Sequence, residues 1–183
     1  MSRTSKFMTE PISCDMDSPK STPATFRETE FEKRRGVSRI EVRTGFAQVH
    51  VSEIAAPAMV GRLKVLKAVS EQQVSIDFLK LTPSGLSFLV SEDRAGAVQT
   101  VLEASGFSFV VSSGRSIVLV HAVNMRDEEG LISRIVQTVI GTNVSVDHIG
   151  DMHDRLLLVV KDADAAKVAQ RFRESLIPTE LER

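Results

Sequence analysis

Two aspartates and two histidines, Asp147, His148, Asp151 and His153, crowd into one short stretch and are side chains of the kind that ligate divalent metals. Side chains alternate along a strand, so Asp147 and His148 point to opposite faces, and polar residues are ordinary at a hairpin tip. The set therefore reads as a turn and not as a metal centre, although an imidazole there suits a pH-sensitive contact at an interface. A second stretch, Asp127-Glu128-Glu129-Gly130, stands just before a helix-period apolar run. A glycine at a helix start allows close approach, and the free backbone N–H groups there favour a carboxylate. Asp127 serves equally well as a helix cap, contributing about 0.5–2 kcal/mol. His50 and His121 are lone histidines in apolar strands and read as structural. No nucleophile, base and orienting group recur at catalytic spacing, and no G-x-x-x-x-G-K phosphate cradle is present. The sequence gives no ground for a catalytic site or a cofactor.

Short β-branched runs alternate with longer amphipathic ones to position these residues. The pattern predicts strands over 46–51, 74–81, 86–90 and 107–111, and helices over 59–69 and 95–104. Thr82-Pro83-Ser84-Gly85 supplies a hairpin turn. The order then returns: a strand over 116–123, then a helix marked by Leu131, Ile132, Ile135, Val136 and Val139. Strands over 144–149 and 156–160 follow, joined by the polar stretch 150–155, and a helix over 165–176 comes after the acidic start at Asp162 and Asp164.

The return is a duplication. Laying 74–102 over 144–172 needs no gap at a constant offset of 70, and seven positions are identical: Val74/Val144, Ser75/Ser145, Asp77/Asp147, Leu86/Leu156, Val90/Val160, Ala95/Ala165 and Val98/Val168. Average residue usage would give roughly two. Two units of about 70 residues in βαββαβ order make an α+β protein of two tandem ferredoxin-like domains, each an antiparallel sheet with helices on one face. The expected organisation is a disordered tail over 1–36, rich in Ser, Thr, Pro and charge, a first domain over 37–112 and a second over 113–183.

Composition narrows the functions. Of 183 residues, 23 are basic and 24 acidic, so no single-sign field draws the chain to nucleic acid or anionic lipid. There is no Trp or Tyr, and the strand positions where an RNA-binding sheet carries aromatics are aliphatic or small. The longest apolar runs fall far short of the ~20 residues of a membrane span, and no signal-peptide pattern opens the chain, so the cytoplasm is the expected compartment. The single cysteine, Cys14, lies in the tail and cannot form an internal disulfide.

The segments from Val37 to Leu176 resemble the regulatory tail of aspartate kinases, which is built of two ACT-type domains. Gly36-Val37-Ser38-Arg39-Ile40-Glu41-Val42-Arg43 and the run to Val51 resemble the family's extended first segment, and 74–79 (VSIDFL) and 144–149 (VSVDHI) resemble its INVDMI-type strand. The segment 114–125 looks like the one leading into the family's glycine-methionine loop, with Asn124 at a frequent glycine and Met125 after it. The family's D-x-P-G appears as Asp127-Glu128-Glu129-Gly130, without the proline. The resemblance implies a non-catalytic module that binds a free amino acid, the aspartate taking the amino group and the helix start the carboxylate. It places the ligand against Asn124, Met125, Asp127, Gly130 and Leu131, with backbone near Asp147, His148 and Ile149 of a neighbouring domain. It also implies a homodimer paired through sheet edges or helices, with a separate catalytic subunit as a further partner. In the first copy, Pro57-Ala58-Met59-Val60 falls where the D-x-P-G would be, and Glu53 lies four residues earlier. That departure favours a second reading, a structural dimerisation domain whose effector sites have decayed. The kinase portion of the family is not found in this sequence, so the chain is not expected to phosphorylate aspartate.

Overall fold

A computed structural model describes residues 36–123, 125 and 128–177. The expected tail falls almost entirely outside the described residues. The elements run β1 (Gly36–Ser52), α1 (Ala58–Glu71), β2 (Phe78–Thr82), β3 (Gly85–Ser91), α2 (Ala95–Ala104), β4 (Ser108–Val123), α3 (Leu131–Ile140), β5 (Val146–Asp151), β6 (Arg155–Lys161) and α4 (Asp162–Leu176). A single 3-10 turn, Glu92–Arg94, leads into α2.

The six strands form one antiparallel sheet in the order β2-β3-β1-β4-β6-β5. Two strands are much longer than the alternation suggested. β1 begins at Gly36, as the resemblance to the family's extended first segment implies, and not at Phe46, where the apolar alternation starts, and the strands expected over 107–111 and 116–123 are one strand, β4. Glycines make this continuity possible: Gly45 and Gly114 have φ of +81° and +65°, the left-handed region that side chains disfavour. Each strand carries an extra residue there, between the pairs Arg43↔Ile117, Phe46↔Arg115 and Gln48↔Ser112. Paired bulges of this kind bend both strands and leave the inward and outward faces unchanged.

The bend divides the sheet into halves. In the first, β2, β3, the end of β1 (46–52) and the start of β4 (108–112) are neighbours. In the second, β5, β6 and the end of β4 are joined by the beginning of β1, whose residues from Gly36 to Arg43 pair with those from Val123 to Ile117. The outer strand of the second half therefore comes from the start of the described chain. β2 is shorter than expected, beginning at Phe78 in place of Val74, and β5 has the expected length but lies two residues later, from Val146 to Asp151.

Helices α1 and α2 cover one core, with Val49, Val51, Phe88, Val98 and Leu102 at its centre. Helices α3 and α4 cover another, around Val118, Val120, Ile135, Leu158 and Phe172. A fully buried side chain such as Phe88 or Phe172 contributes about 1.5–3 kcal/mol. A third cluster lies on the opposite face of the sheet and joins Leu89, Phe46 and Phe78 of the first half to Ile117, Leu119, Leu157 and Val159 of the second. The backs of the two halves thus close on each other. β2 and β5, at opposite ends of the strand order, meet face to face where the Phe78 and His148 rings lie 5.5 Å apart. Gly150 makes that approach possible, since a Cβ there would stand 3.0 Å from the Phe78 ring.

Candidate ligand-binding site

The end of β1, the loop before α1 and the lead into β4 enclose a cleft of about 340 Å³, lined among others by Ser52, Glu53, Pro57, Val60, Lys64 and Ser108. β1 runs straight into it because its residues after Gly45 are held on both sides, by β3 and by β4. Glu53 turns the chain with a left-handed φ of +55°, and one of its carboxylate oxygens accepts a hydrogen bond from Ser108 Oγ at 3.1 Å. The Ile54 N–H donates to the Ser84 carbonyl at 2.9 Å and ties the loop to the β2–β3 hairpin. Gly61 lets the loop lie on the helix, because a Cβ there would stand 2.2 Å from Ile54 Cγ2.

The amino end of α1 faces this cleft without a side-chain cap and without an acidic residue in its first turn. Val60 N–H donates to the Pro57 carbonyl at 3.0 Å, whereas the amides ahead of it have no acceptor within the helix. The helix start is therefore electropositive. Lys64, one turn on, and Glu53 both line the cleft, one a cation and the other an anion. Opposite charges on the walls of one small cleft suit a zwitterion better than a simple anion or cation. The Arg62 guanidinium, on the same turn of α1, donates to the carbonyls of Gly85 (3.2 Å), Pro83 (3.1 Å) and Thr82, which fixes the helix on the hairpin.

The second loop is arranged differently. Asn124 and Asp127 lie outside the described residues. Met125 is 1% exposed and Leu131 2%, so both side chains belong to the core under α3 and leave backbone alone for a ligand. Gly130 has φ of +75° immediately before α3 and is exposed, a conformation natural to glycine. Glu128 pairs with Arg134 at 2.5 Å through one oxygen, while its other oxygen is buried without a hydrogen-bond partner among the described residues.

Asp147, His148 and Ile149 are not brought to that loop within one chain. The register sets them level with the stretch from Ser116 to Val118 of β4, about six residues before the strand ends, or roughly 20 Å at ~3.3 Å per residue. Asp147 is committed to Arg115 at 2.5 Å, with side chains 22% and 15% exposed. His148 receives a hydrogen bond from the Gln48 carboxamide at 2.9 Å and lies against Phe78. Burial, followed by the charge of Lys80, holds its pKa below the ordinary histidine value. Ile149 is 40% exposed. His50 and His121 are engaged in their strands, His50 with Ser87 Oγ at 2.6 Å and His121 with Glu41 at 3.2 Å. Among the described residues no three His, Cys, Asp or Glu side chains are grouped to hold a metal ion, and no helix is long and apolar enough to cross a membrane.

The sequence marks Glu53 only as an acid four residues ahead of Pro57, in a loop that departs from the family pattern, and does not foresee the cleft. Lys64 and Ser108 carry no local signal; the first is one lysine on an amphipathic helix, and the second faces Glu53 through the pairing of β1 with β4. Gly61, a glycine inside a helical pattern, was the available clue to close packing at this point.

No family model matches the chain. Among curated proteins it is similar to aspartokinase 1 of Bacillus subtilis (strain 168), 24% identical over 136 residues, which are 72% of this chain and 34% of the relative. The chain thus corresponds to about a third of that protein's length. Among solved structures it is similar to the ligand-free regulatory subunit of aspartate kinase from Thermus thermophilus, with a TM-score of 0.70 and 17% identity, covering 77% of this chain and 98% of the other. Escherichia coli aspartokinase III in complex with lysine and aspartate gives a TM-score of 0.61 at 15% identity, covering 80% of this chain and 34% of the other. In sequence segments and in fold, the chain resembles the C-terminal regulatory region of aspartate kinase.

Proposed function

We propose that this chain is a non-catalytic regulatory module in which the two halves of the sheet are tandem ACT-type domains, and that it binds a free amino acid and dimerises. The cleft before α1 carries this reading. Its volume lies at the low end of small-molecule sites, as a single amino acid requires. The α-carboxylate would take the open amides of α1, the ammonium would face Glu53, and the side chain would lie between Pro57 and Val60 near Lys64. The second loop, where Asp127 and Gly130 precede α3 in the sequence, would offer another seat for the same ligand. The likeness to an aspartokinase solved with lysine and aspartate supports an amino-acid ligand, and the likeness to a regulatory subunit supports a separate catalytic partner.

The dimer surface we propose is the open edge of β2. Leu79 and Leu81 on that strand, with Met59 and Leu63 on the side of α1 that Arg62 anchors beside the hairpin, are between 42% and 60% exposed. The stripe Met59, Leu63 continues one turn on into the ion pair of Lys67 with Glu71. Opposite charges on one stripe complement themselves when two copies run antiparallel about a two-fold axis, as two β2 edges also do.

Calorimetric titration with a panel of free amino acids tests the function. Binding that weakens in Glu53→Gln supports the first cleft, and binding that weakens only in Asp127→Ala moves the site to the second loop. No heat and no rise in Tm with any amino acid would refute the sensor. The remaining reading would then be a dimerisation domain with decayed sites, which the core positions of Met125 and Leu131 and the pairing of Asp147 with Arg115 favour.

A further inference from the structure

The two half-sheets are joined by two continuous strands, and both strands pass through a left-handed glycine at the bend, Gly45 in β1 and Gly114 in β4. Nothing lies within 4 Å of where a Cβ of Gly45 would be, and at Gly114 the nearest such neighbour is an Asp162 carboxylate oxygen at 3.8 Å. The bend is thus not wedged by packing at the glycines themselves. The halves are instead kept face to face by what meets between their backs. At the rim of that contact Phe78 of β2 meets His148 of β5, two positions related by the 70-residue repeat. One copy supplies a phenyl ring and the other an imidazole.

We propose that Phe78 and His148 form a latch between the two half-sheets, closed across the Gly45 and Gly114 bend and opened by protonation of the imidazole. In the closed form Gln48 of the first half donates to His148 Nε2, which places the neutral ring's own proton on Nδ1. Nδ1 and Gln48 Oε1 are both buried with no hydrogen-bond partner among the described residues. The neutral ring already leaves two polar atoms unsatisfied, and adding a proton makes matters worse in two ways. Nε2 becomes a donor facing a donor, and turning the Gln48 carboxamide to present its oxygen still leaves Nδ1–H unpaired. The new positive charge also faces Lys80 on β2 and His50 on β1. Asp147, the nearby acid on β5, is already paired with Arg115 of β4. The remaining contacts across this face, from Leu89, Leu157 and Val159, are apolar and give no counter-charge.

The sign follows from the lowered pKa of His148 in the folded chain. A histidine held neutral contributes stability that is fully present above its unfolded pKa, about 6.5, and is lost as pH falls from there through the folded value. Over that window the unfolding or opening constant rises up to about tenfold per pH unit.

The test uses the full chain, with His148→Phe, which repeats the residue of the first copy, and His148→Gln, which cannot titrate. Thermal melts from pH 7.5 to 5.5 should show the wild type losing stability faster than either variant below pH 6.5. At pH 5.5, amide hydrogen exchange in Phe78–Thr82 and Val146–Asp151 should be faster in the wild type than in His148→Gln, with the two matched at pH 7.5. Parallel pH profiles for wild type and variants would overturn the latch. Should neither variant fold, an NMR titration of the wild type decides: His148 must titrate below about 6.5, and a value at or above it refutes the proposal. None of these outcomes depends on an amino acid being bound.

Discussion

The ion pair between Arg115 and Asp147 gives the sharpest energetic test of the arrangement. Its Nε to Oδ2 distance is 2.5 Å, and the side chains are 15% and 22% exposed. Breaking a fully buried pair by removing one partner costs about 3–5 kcal/mol, and breaking a surface pair about 0–1 kcal/mol. At this partial exposure Asp147→Ala should cost about 2 kcal/mol, which for a chain of this size lowers Tm by roughly 4–8 °C. Arg115→Ala should cost somewhat more, because Arg115 Nη1 also donates to the Ser113 carbonyl at 3.0 Å and so braces the bulge beside Gly114. A double-mutant cycle separates the two contributions, with an expected coupling of about 1–2 kcal/mol read from urea unfolding followed by circular dichroism. If Asp147 is a structural residue in this way, Asp147→Ala changes amino-acid affinity little once the protein is folded. A coupling below about 0.5 kcal/mol would show that the pair is not formed in solution. The assignment of Asp147 to the sheet contact, and not to a ligand, would fall with it.

Three further substitutions probe other parts of the structure. In Gly85→Ala a Cβ would stand 1.9 Å from the Val51 carbonyl oxygen, which is backbone held in the sheet. A loss of roughly 4 kcal/mol or more, or failure to fold, is expected by chemical denaturation, and a near-normal Tm would mean the β1–β3 pairing is misplaced. Arg62→Ala removes the guanidinium from three hairpin carbonyls and should cost about 1.5–3 kcal/mol, with faster amide exchange confined to the turn at 82–85 and the first turns of α1. Glu53→Gln keeps the hydrogen bond from Ser108 while removing the charge, so Tm should hold while amino-acid affinity drops roughly tenfold to a hundredfold by calorimetry.

The local elements were legible because they are written in short-range pattern. The hairpin at 82–85, the apolar stripe of α3 and the acidic start of α4 were all read from spacing and turn chemistry, and each lies where the pattern put it. What was lost was continuity. The segment 36–45 carries charges at Arg39, Glu41 and Arg43, so it lacked the apolar signal of a buried strand. The structure shows why it does not need one: it is an outer strand whose charged side chains bond to one another and to His121 while Val37 and Ile40 face the core. Gly114 was hidden for a related reason. A glycine between two β-branched runs reads as a break, whereas a paired bulge turns it into the bend of a single strand.

That continuity also explains why the candidate site was only half legible. The duplication reveals residues that have a counterpart at an offset of 70, but a ligand site is made by segments brought together across the sheet. The cleft before α1 needs Ser108 opposite Glu53, a proximity created by β4 pairing with the far end of β1. The same two strands run on to the second loop, where Gly36 pairs with Val123 just before Met125. Each loop therefore sits at one end of a shared pair of strands, with the two glycines between them. In a pair of independent domains, a change at one loop would reach the other only through a flexible linker. Here the connection is hydrogen-bonded backbone throughout, and the bend at Gly45 and Gly114 is where a change in angle between the halves costs least. The asymmetry between the copies then has a structural meaning: the halves repeat their helices and hairpins, while the strands that join them are held in common and belong to neither.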